Sequence, residues 1–94
     1  MNIYIFDNIK YKLIKNYRDG FNKELVLEKY TDYFYDYDYI IGDWAYGKLR
    51  LKGFYKNSNK NCKDLNNFDY YENYIKNFCA YECKYFILEK LNKE

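Results

Sequence analysis

Hydrophobic and polar residues alternate near the start of the chain. Residues 2–6 are mainly apolar, and in residues 9–15 apolar side chains alternate with lysines. This period of two is typical of a β-strand with one buried face. Asp7 and Asn8 lie between the two segments, and both tolerate the positive φ angles of a tight turn. The pattern predicts an N-terminal β-hairpin.

The apolar period then lengthens to that of a helix. Gly20 interrupts the chain, and Asn22 follows as an N-cap whose side-chain oxygen can accept a free first-turn N–H. These features predict a first helix over about 22–35. A second helix is predicted to begin near Asn66. Its inward stripe would comprise Tyr71, Tyr74, Ile75 and Phe78.

Three further segments complete the predicted fold. Residues 38–44 and 48–56 have the pattern of a second hairpin, and the Asn-rich residues 57–67 indicate an exposed loop. Residues 84–91 are apolar at successive positions, which is typical of a central strand covered on both faces. We predict an α+β fold of order ββαββαβ. It would contain one mixed or mainly antiparallel sheet of about five strands, packed with two helices.

Composition supports a single folded domain over residues 1–94. Ile, Leu, Val and Phe account for 24 of the 94 residues, above the roughly 20% that marks disordered chains. The chain has no signal-peptide pattern and no apolar stretch long enough to cross a membrane. Its three cysteines are an odd number, so we expect reduced thiols and a cytoplasmic location.

Enzyme chemistry has little support in the residue types. The chain contains no His, which is the usual general base near neutral pH, and its four glycines do not form a phosphate loop. The aspartates at 32, 36, 38 and 43 could hold a divalent cation, but a solvated helix end with a structural ion pair is the favoured interpretation. Cys79 and Cys83 are an incomplete zinc site and are expected to pack in the core. We therefore predict no catalytic residues, no metal and no cofactor.

The second hairpin carries the most informative charge pattern. Leu49 and Leu51 alternate with Lys48, Arg50 and Lys52, so the leucines should face the core and the cations the other side. The segment 44–63 contains six Lys or Arg and no Asp or Glu, in a protein of net charge +2. Lys10 and Lys12 would extend this basic surface if their strand lay beside the hairpin.

Two kinds of partner fit this basic segment 44–63. In the first hypothesis it binds RNA or single-stranded nucleic acid, with cations on phosphates and aromatic rings stacked on bases. In the alternative it docks another protein through Trp44, Tyr46 and Arg50, which are residue types enriched at interface hot spots. A plain solvated strand face is the third interpretation, and the oligomeric state stays open. The candidate binding residues are Trp44, Tyr46, Lys48, Arg50, Lys52, Tyr55 and Lys56.

The length of the hairpin loop decides the partner of Asp43. Asp43 should pair with Lys48 or Arg50, depending on whether the loop spans 44–47 or only Tyr46–Gly47. A three-residue loop would instead set Trp44 beside Lys48. We take Asp43 and Arg50 as the structural pair and expect it to be exposed, which would limit its contribution to about 0–1 kcal/mol.

Two stretches resemble a known protein family. "YDYIIGDWAYGKLRLKGFY", residues 37–55, resembles the signature of the YutD-like family of small bacterial proteins. "YIKNFCAYECKYFILEK", residues 74–90, is similar to the C-terminal segment of that family, with Cys79 and Cys83 matching its C-x-x-x-C pair. The resemblance runs from about Tyr11 onward. It implies an α/β fold and a cytosolic, low-G/C bacterial protein, and it implies no particular activity.

Overall fold

A computed structural model describes residues 2–78 and 83–91, with the Phe78 side chain left out. Five strands form one fully antiparallel sheet, in the order β1-β2-β5-β3-β4. The described elements are β1 (Ile3–Phe6), β2 (Ile9–Tyr17), α1 (Lys23–Lys29), β3 (Tyr39–Ala45), β4 (Lys48–Phe54), α2 (Tyr71–Phe78) and β5 (Tyr85–Lys90). The predicted α+β class and the order ββαββαβ are confirmed.

Both hairpins close through two-residue turns with left-handed backbone. Asp7 and Asn8 have φ of 51° and 68°, and Tyr46 and Gly47 have φ of 54° and 76°. Positive φ at both central residues is the mark of the turn that matches strand twist. The Tyr46–Gly47 turn sets Asp43 directly opposite Arg50 in the ladder. The shortest of the predicted loop lengths is therefore the one observed.

The sheet is buried on both faces, with one helix packed on each. The residues of α1 and the chain after it cover one face, where Val26 and Tyr30 pack on Tyr11, Phe86 and other strand residues. The residues of α2 cover part of the opposite face, over a cluster that includes Ile41 and Ile87. Successive residues Tyr85–Leu88 of β5 are buried. The predicted central position of this strand is confirmed.

The helices are shorter than the sequence pattern predicted. Asn22 caps α1 by accepting from the Leu25 N–H, but the helix ends at Lys29 because Tyr30 is extended (ψ 129°). Thr31 then caps a separate 3-10 turn over Asp32–Phe34. Likewise, 3-10 turns at Asp64–Asn66 and Phe68–Tyr70 precede α2, which begins five residues later than predicted.

Part of the predicted loop 57–67 is ordered against the sheet. Asn67 is buried and forms a parallel β-bridge with Tyr55, just beyond the end of β4. Among the cysteines, Cys62 is free and Cys83 is disulfide-bonded. The expectation of reduced thiols is therefore wrong for Cys83, while Cys79 lies outside the described residues.

Candidate functional site

The cationic row of β4 lies on the sheet face that carries α2. Lys48, Arg50 and Lys52 occupy alternate positions on the strand, and the residues of α2 pack beside the last two. Lys48 is exposed, Lys52 is half-buried, and the Arg50 side chain keeps 43% of its accessible surface. The three cations are therefore not equally solvated, and they differ in how much of each side chain a partner could contact.

Arg50 neutralises a buried carboxylate. Asp43 is completely buried, and its Oδ2 accepts from Arg50 Nη2 at 2.5 Å while its Oδ1 accepts from the Tyr74 hydroxyl at 3.2 Å. The hydrogen bond to Asp43 raises the pKa of the Arg50 guanidinium. Burial, followed by the charge of Asp43, raises the pKa of Tyr74 to about 12. The expectation of an exposed pair is wrong, because α2 covers the carboxylate.

Lys52 lies at the floor of a cleft between β4 and α2. Its Nζ sits 5.1 Å from the ring centroid of Phe54 and 5.8 Å from that of Tyr74, which is cation–π geometry. The cleft has a volume of about 600 Å³. It is lined by Lys52, Phe54, Asp64, Leu65, Tyr70, Asn73, Tyr74 and Asn77.

The exposed apolar wall of this cleft was not predicted from the sequence. Leu65 is 87% exposed and Tyr70 is 50% exposed, and they rise on the two 3-10 turns that precede α2. The signal that could have identified Leu65 is its position as the only aliphatic residue within the polar segment 57–67. Leu65 and Tyr70 both line the cleft and give its rim exposed apolar surface.

Trp44 lies on the opposite face of the sheet and is already engaged. Its indole Nε1 donates to the Gly20 carbonyl oxygen at 2.8 Å. The Lys84 ammonium sits 4.7 Å from the ring centroid. Trp44 therefore anchors the segment before α1 to the sheet, and it does not share a surface with the cationic row.

Tyr55 and Lys56 lie beyond the end of β4. The Tyr55 ring stacks on Tyr37 with centroids 4.6 Å apart, again on the α1 side of the sheet. Lys56 is exposed, and its backbone N–H donates to Asp38 Oδ2 at 2.8 Å. The same oxygen accepts from Asn59 Nδ2 at 3.1 Å, so Asp38 holds the loop in place. In residues 2–78 and 83–91, no group of three or more His, Cys, Asp or Glu is arranged to hold a metal ion.

Tyr46 is the most prominent candidate residue. It occupies the first position of the hairpin turn and is 99% exposed. Gly47 and then Lys48 follow it in the sequence. The turn brings Tyr46 and Lys48 to one end of the β4 edge, and the cleft lies at the other. We call this ensemble the hairpin surface; it comprises Tyr46, Lys48, Arg50, Lys52, Leu65 and Tyr70.

Two predicted groupings are not brought together. Lys10 and Lys12 do not extend the cationic row, because β5 and β3 separate their strand from β4. The rings of Trp44 and Tyr55 lie across the sheet from Arg50 and Lys52. The hairpin surface therefore combines cations with Tyr46 and the cleft rather than with a row of free stacking rings.

Comparison with known proteins agrees with this fold. A family model described as "Putative antitoxin YutD-like" matches residues 5–89. "Putative antitoxin YutD" of Bacillus subtilis (strain 168) is 38% identical over 89 residues, which is 95% of this chain and 98% of that protein. The solution NMR structure of protein yutD from B. subtilis superposes with a TM-score of 0.81 at 37% identity, covering 97% of this chain and 83% of that one. No helix in the described residues is long and apolar enough to cross a membrane.

Proposed function

This chain belongs to the YutD-like family, and we propose that it is a non-catalytic binding module that recognises a protein partner through the hairpin surface. The name of its B. subtilis relative denotes a protein that counteracts a toxin. Direct binding of the toxin is the simplest way for a small protein without catalytic groups to do so. The toxin would then be the partner.

The observation that carries this proposal is the position of Tyr46. Tyr46 is 99% exposed on a two-residue turn, and a tyrosine ring supplies a large contact area with only two side-chain torsions to immobilise when a partner buries it. Tyr and Arg are enriched among residues that dominate interface energies. Arg50 lies on β4, the strand that follows this turn, and its guanidinium is oriented by Asp43. The cleft at Lys52, at the other end of β4, offers a concave apolar site on the sheet face that carries Arg50.

RNA binding is less well supported by the same geometry. Single-stranded nucleic acid needs cations for phosphates and free aromatic faces for bases on one surface. Here Trp44 and Tyr55 are engaged on the far side of the sheet, and the charge of Arg50 is offset by Asp43. The protein hypothesis requires only the residues that the hairpin surface presents together.

The test compares protein capture with RNA binding for matched variants. The immobilised protein is incubated with native bacterial lysate, with and without nuclease, and the bound proteins are quantified. Lys48→Glu is compared with Lys23→Glu, which makes the same charge change on α1 across the sheet. We expect nuclease-resistant capture that falls at least tenfold for Lys48→Glu and is unchanged for Lys23→Glu.

The RNA arm uses fluorescence anisotropy with labelled mixed-sequence RNA. Three to five phosphate contacts would give a log–log salt slope of about −2 to −3.5. Binding with that slope that is lost when Lys48 and Lys52 are both changed to Gln would refute the protein hypothesis in favour of RNA. Capture that nuclease abolishes, or that Lys48→Glu leaves intact, would equally contradict it.

A further inference from the structure

β4 is an edge strand of the sheet. It is last in the sheet order, with β3 on its inner side only. The backbone of Tyr55, just after β4, points outward: its N–H donates to the Asn66 oxygen at 2.7 Å, and its oxygen accepts from the Phe68 N–H at 2.9 Å. Because backbone direction alternates along a strand, Leu49, Leu51 and Gly53 point outward as well.

These outward groups have no backbone partner in the part of the chain that the structure describes. Gly53 is buried against the Tyr37 ring, so the pairing groups are those of Leu49 and Leu51. The chain itself already uses this edge once, where residues 66–68 pair in parallel with Tyr55. Unpaired edges readily accept another strand, and natural proteins block unwanted pairing with lysines such as Lys48 and Lys52 on the edge. The edge of β4 can therefore accept another strand, and its lysines determine by charge which strands it accepts.

We propose that the outer edge of β4 binds an extended, acidic strand of the partner protein. This inference rests on the proposed function and specifies its mode. Peptides that add a strand to a sheet edge gain main-chain hydrogen bonds, and side-chain contacts supply the specificity. Here the main-chain contacts would be to Leu49 and Leu51.

Charge selects the acidic partner over a second copy of this chain. Lys48, Arg50 and Lys52 project from one face of β4, and the segment 44–63 contains no acidic residue. Like charges directly opposite each other across strands are destabilising, so pairing of β4 with another β4 is disfavoured. Carboxylates on the incoming strand would instead face Lys48 and Lys52, while Arg50 stays with Asp43.

The cleft gives the incoming strand a second contact. It lies on the α2 side of the β4 edge, between Phe54 and the exposed Leu65 and Tyr70. Side chains on one face of a strand recur every second residue. A strand that places a carboxylate against Lys52 can therefore place an apolar side chain farther along, in the cleft. The partner strand is thus acidic with one apolar anchor.

The first test is amide hydrogen exchange on the full-length protein. The probe is a blocked ten-residue peptide that alternates Glu with Val and carries one central Leu; its control has Lys in place of every Glu. At ten times its Kd, the acidic peptide should slow exchange at Leu49 and Leu51 about tenfold. The amides of Arg50 and Lys52, already bonded to β3, should change little.

Other exchange patterns would overturn the inference. Acidic strand addition would be excluded if the outward and the inward amides of β4 were protected equally. It would also be excluded if the Lys peptide bound as well as the Glu peptide, or if the Glu peptide did not bind at millimolar concentration. Protection of the same amides that rises with protein concentration alone would identify a second copy as the occupant, also against the inference.

The second test separates the mode of binding from the proposed function. Leu51→Pro deletes an outward N–H without removing a ladder bond, and proline is tolerated in that orientation at a sheet edge. Leu51→Val keeps the N–H and alters the side chain comparably. In the capture assay, Leu51→Pro should lose at least tenfold and Leu51→Val little. If folded Leu51→Pro still captures the partner, strand addition is refuted but the proposed function is not. If the wild type captures nothing, the proposed function itself is refuted.

Discussion

Replacing Asp43 by Asn should destabilise the domain far more than an ordinary surface substitution. The change keeps the shape of the side chain but removes its charge, and it leaves one acceptor oxygen where Arg50 and Tyr74 each bond a separate carboxylate oxygen. Loss of a charge-assisted hydrogen bond costs about 1.5–3 kcal/mol. The Arg50 side chain is 43% exposed and can rehydrate, so the larger penalty of an isolated buried charge does not apply to it. We expect a loss of about 1.5–3 kcal/mol.

The partner residue should give the larger effect. Among the described residues, Arg50→Gln leaves the fully buried carboxylate of Asp43 with the Tyr74 hydroxyl alone. Removing the partner of a buried charge costs about 3–5 kcal/mol. The double variant should recover part of that loss, since it no longer buries a charge. Asp43→Asn should therefore be milder than Arg50→Gln.

Urea unfolding followed by Trp44 fluorescence measures these differences. At a denaturant slope of roughly 1.5 kcal/mol per molar, Asp43→Asn should lower the midpoint by about 1–2 M. Glu24→Gln, at an exposed acid on α1, is the control and should change the midpoint little. A loss below about 0.5 kcal/mol for Asp43→Asn, or the reverse order of the two single variants, would refute the assignment of Asp43 as a buried charge.

Two further outcomes test the core and its tyrosines. Gly42→Ala would place a Cβ 2.1 Å from Cζ of the fully buried Phe86, so we expect a loss of at least about 1–3 kcal/mol in thermal unfolding; a neutral result would contradict this packing. The pKa of Tyr74 is raised to about 12 in the folded state, above its ordinary value of 10.0, so the folded protein keeps a proton that the unfolded chain loses. Stability should therefore fall as pH rises from 10 toward 12, and Tyr74→Phe should make that decline shallower in urea unfolding at successive pH values.

The fold was largely predictable because local patterns and tertiary pairing agree. The Asp7–Asn8 turn, the Asn22 cap and the successive apolar residues of β5 each have a short-range cause that the sequence displays. The end of α1 was not predictable from periodicity. Tyr30 and Phe34 fall at helical intervals, yet they reach the same core through an extended residue and a 3-10 turn.

The site was only partly predictable, because strand alternation does not reveal what covers each face. Lys48, Arg50 and Lys52 alternate with leucines as they would on a solvated strand, but α2 packs on their side of the sheet. Trp44 carried no sequence sign of its bond to the Gly20 carbonyl, since the two residues are 24 positions apart. The cleft wall at Leu65 likewise depends on a tertiary path rather than a local pattern.

The order of the strands has a consequence for biosynthesis. β5 lies between β2 and β3 in the sheet, although both of these strands precede it in the chain. A ribosome therefore releases the two hairpins before the strand that joins them, and an isolated hairpin is marginally stable in water. Until β5 emerges, β2 and β3 each keep an edge that lacks its native partner. A nascent or prematurely terminated chain would thus contain all of β4 without the completed sheet that holds it in place, so the hairpin surface takes shape only once β5 has been made.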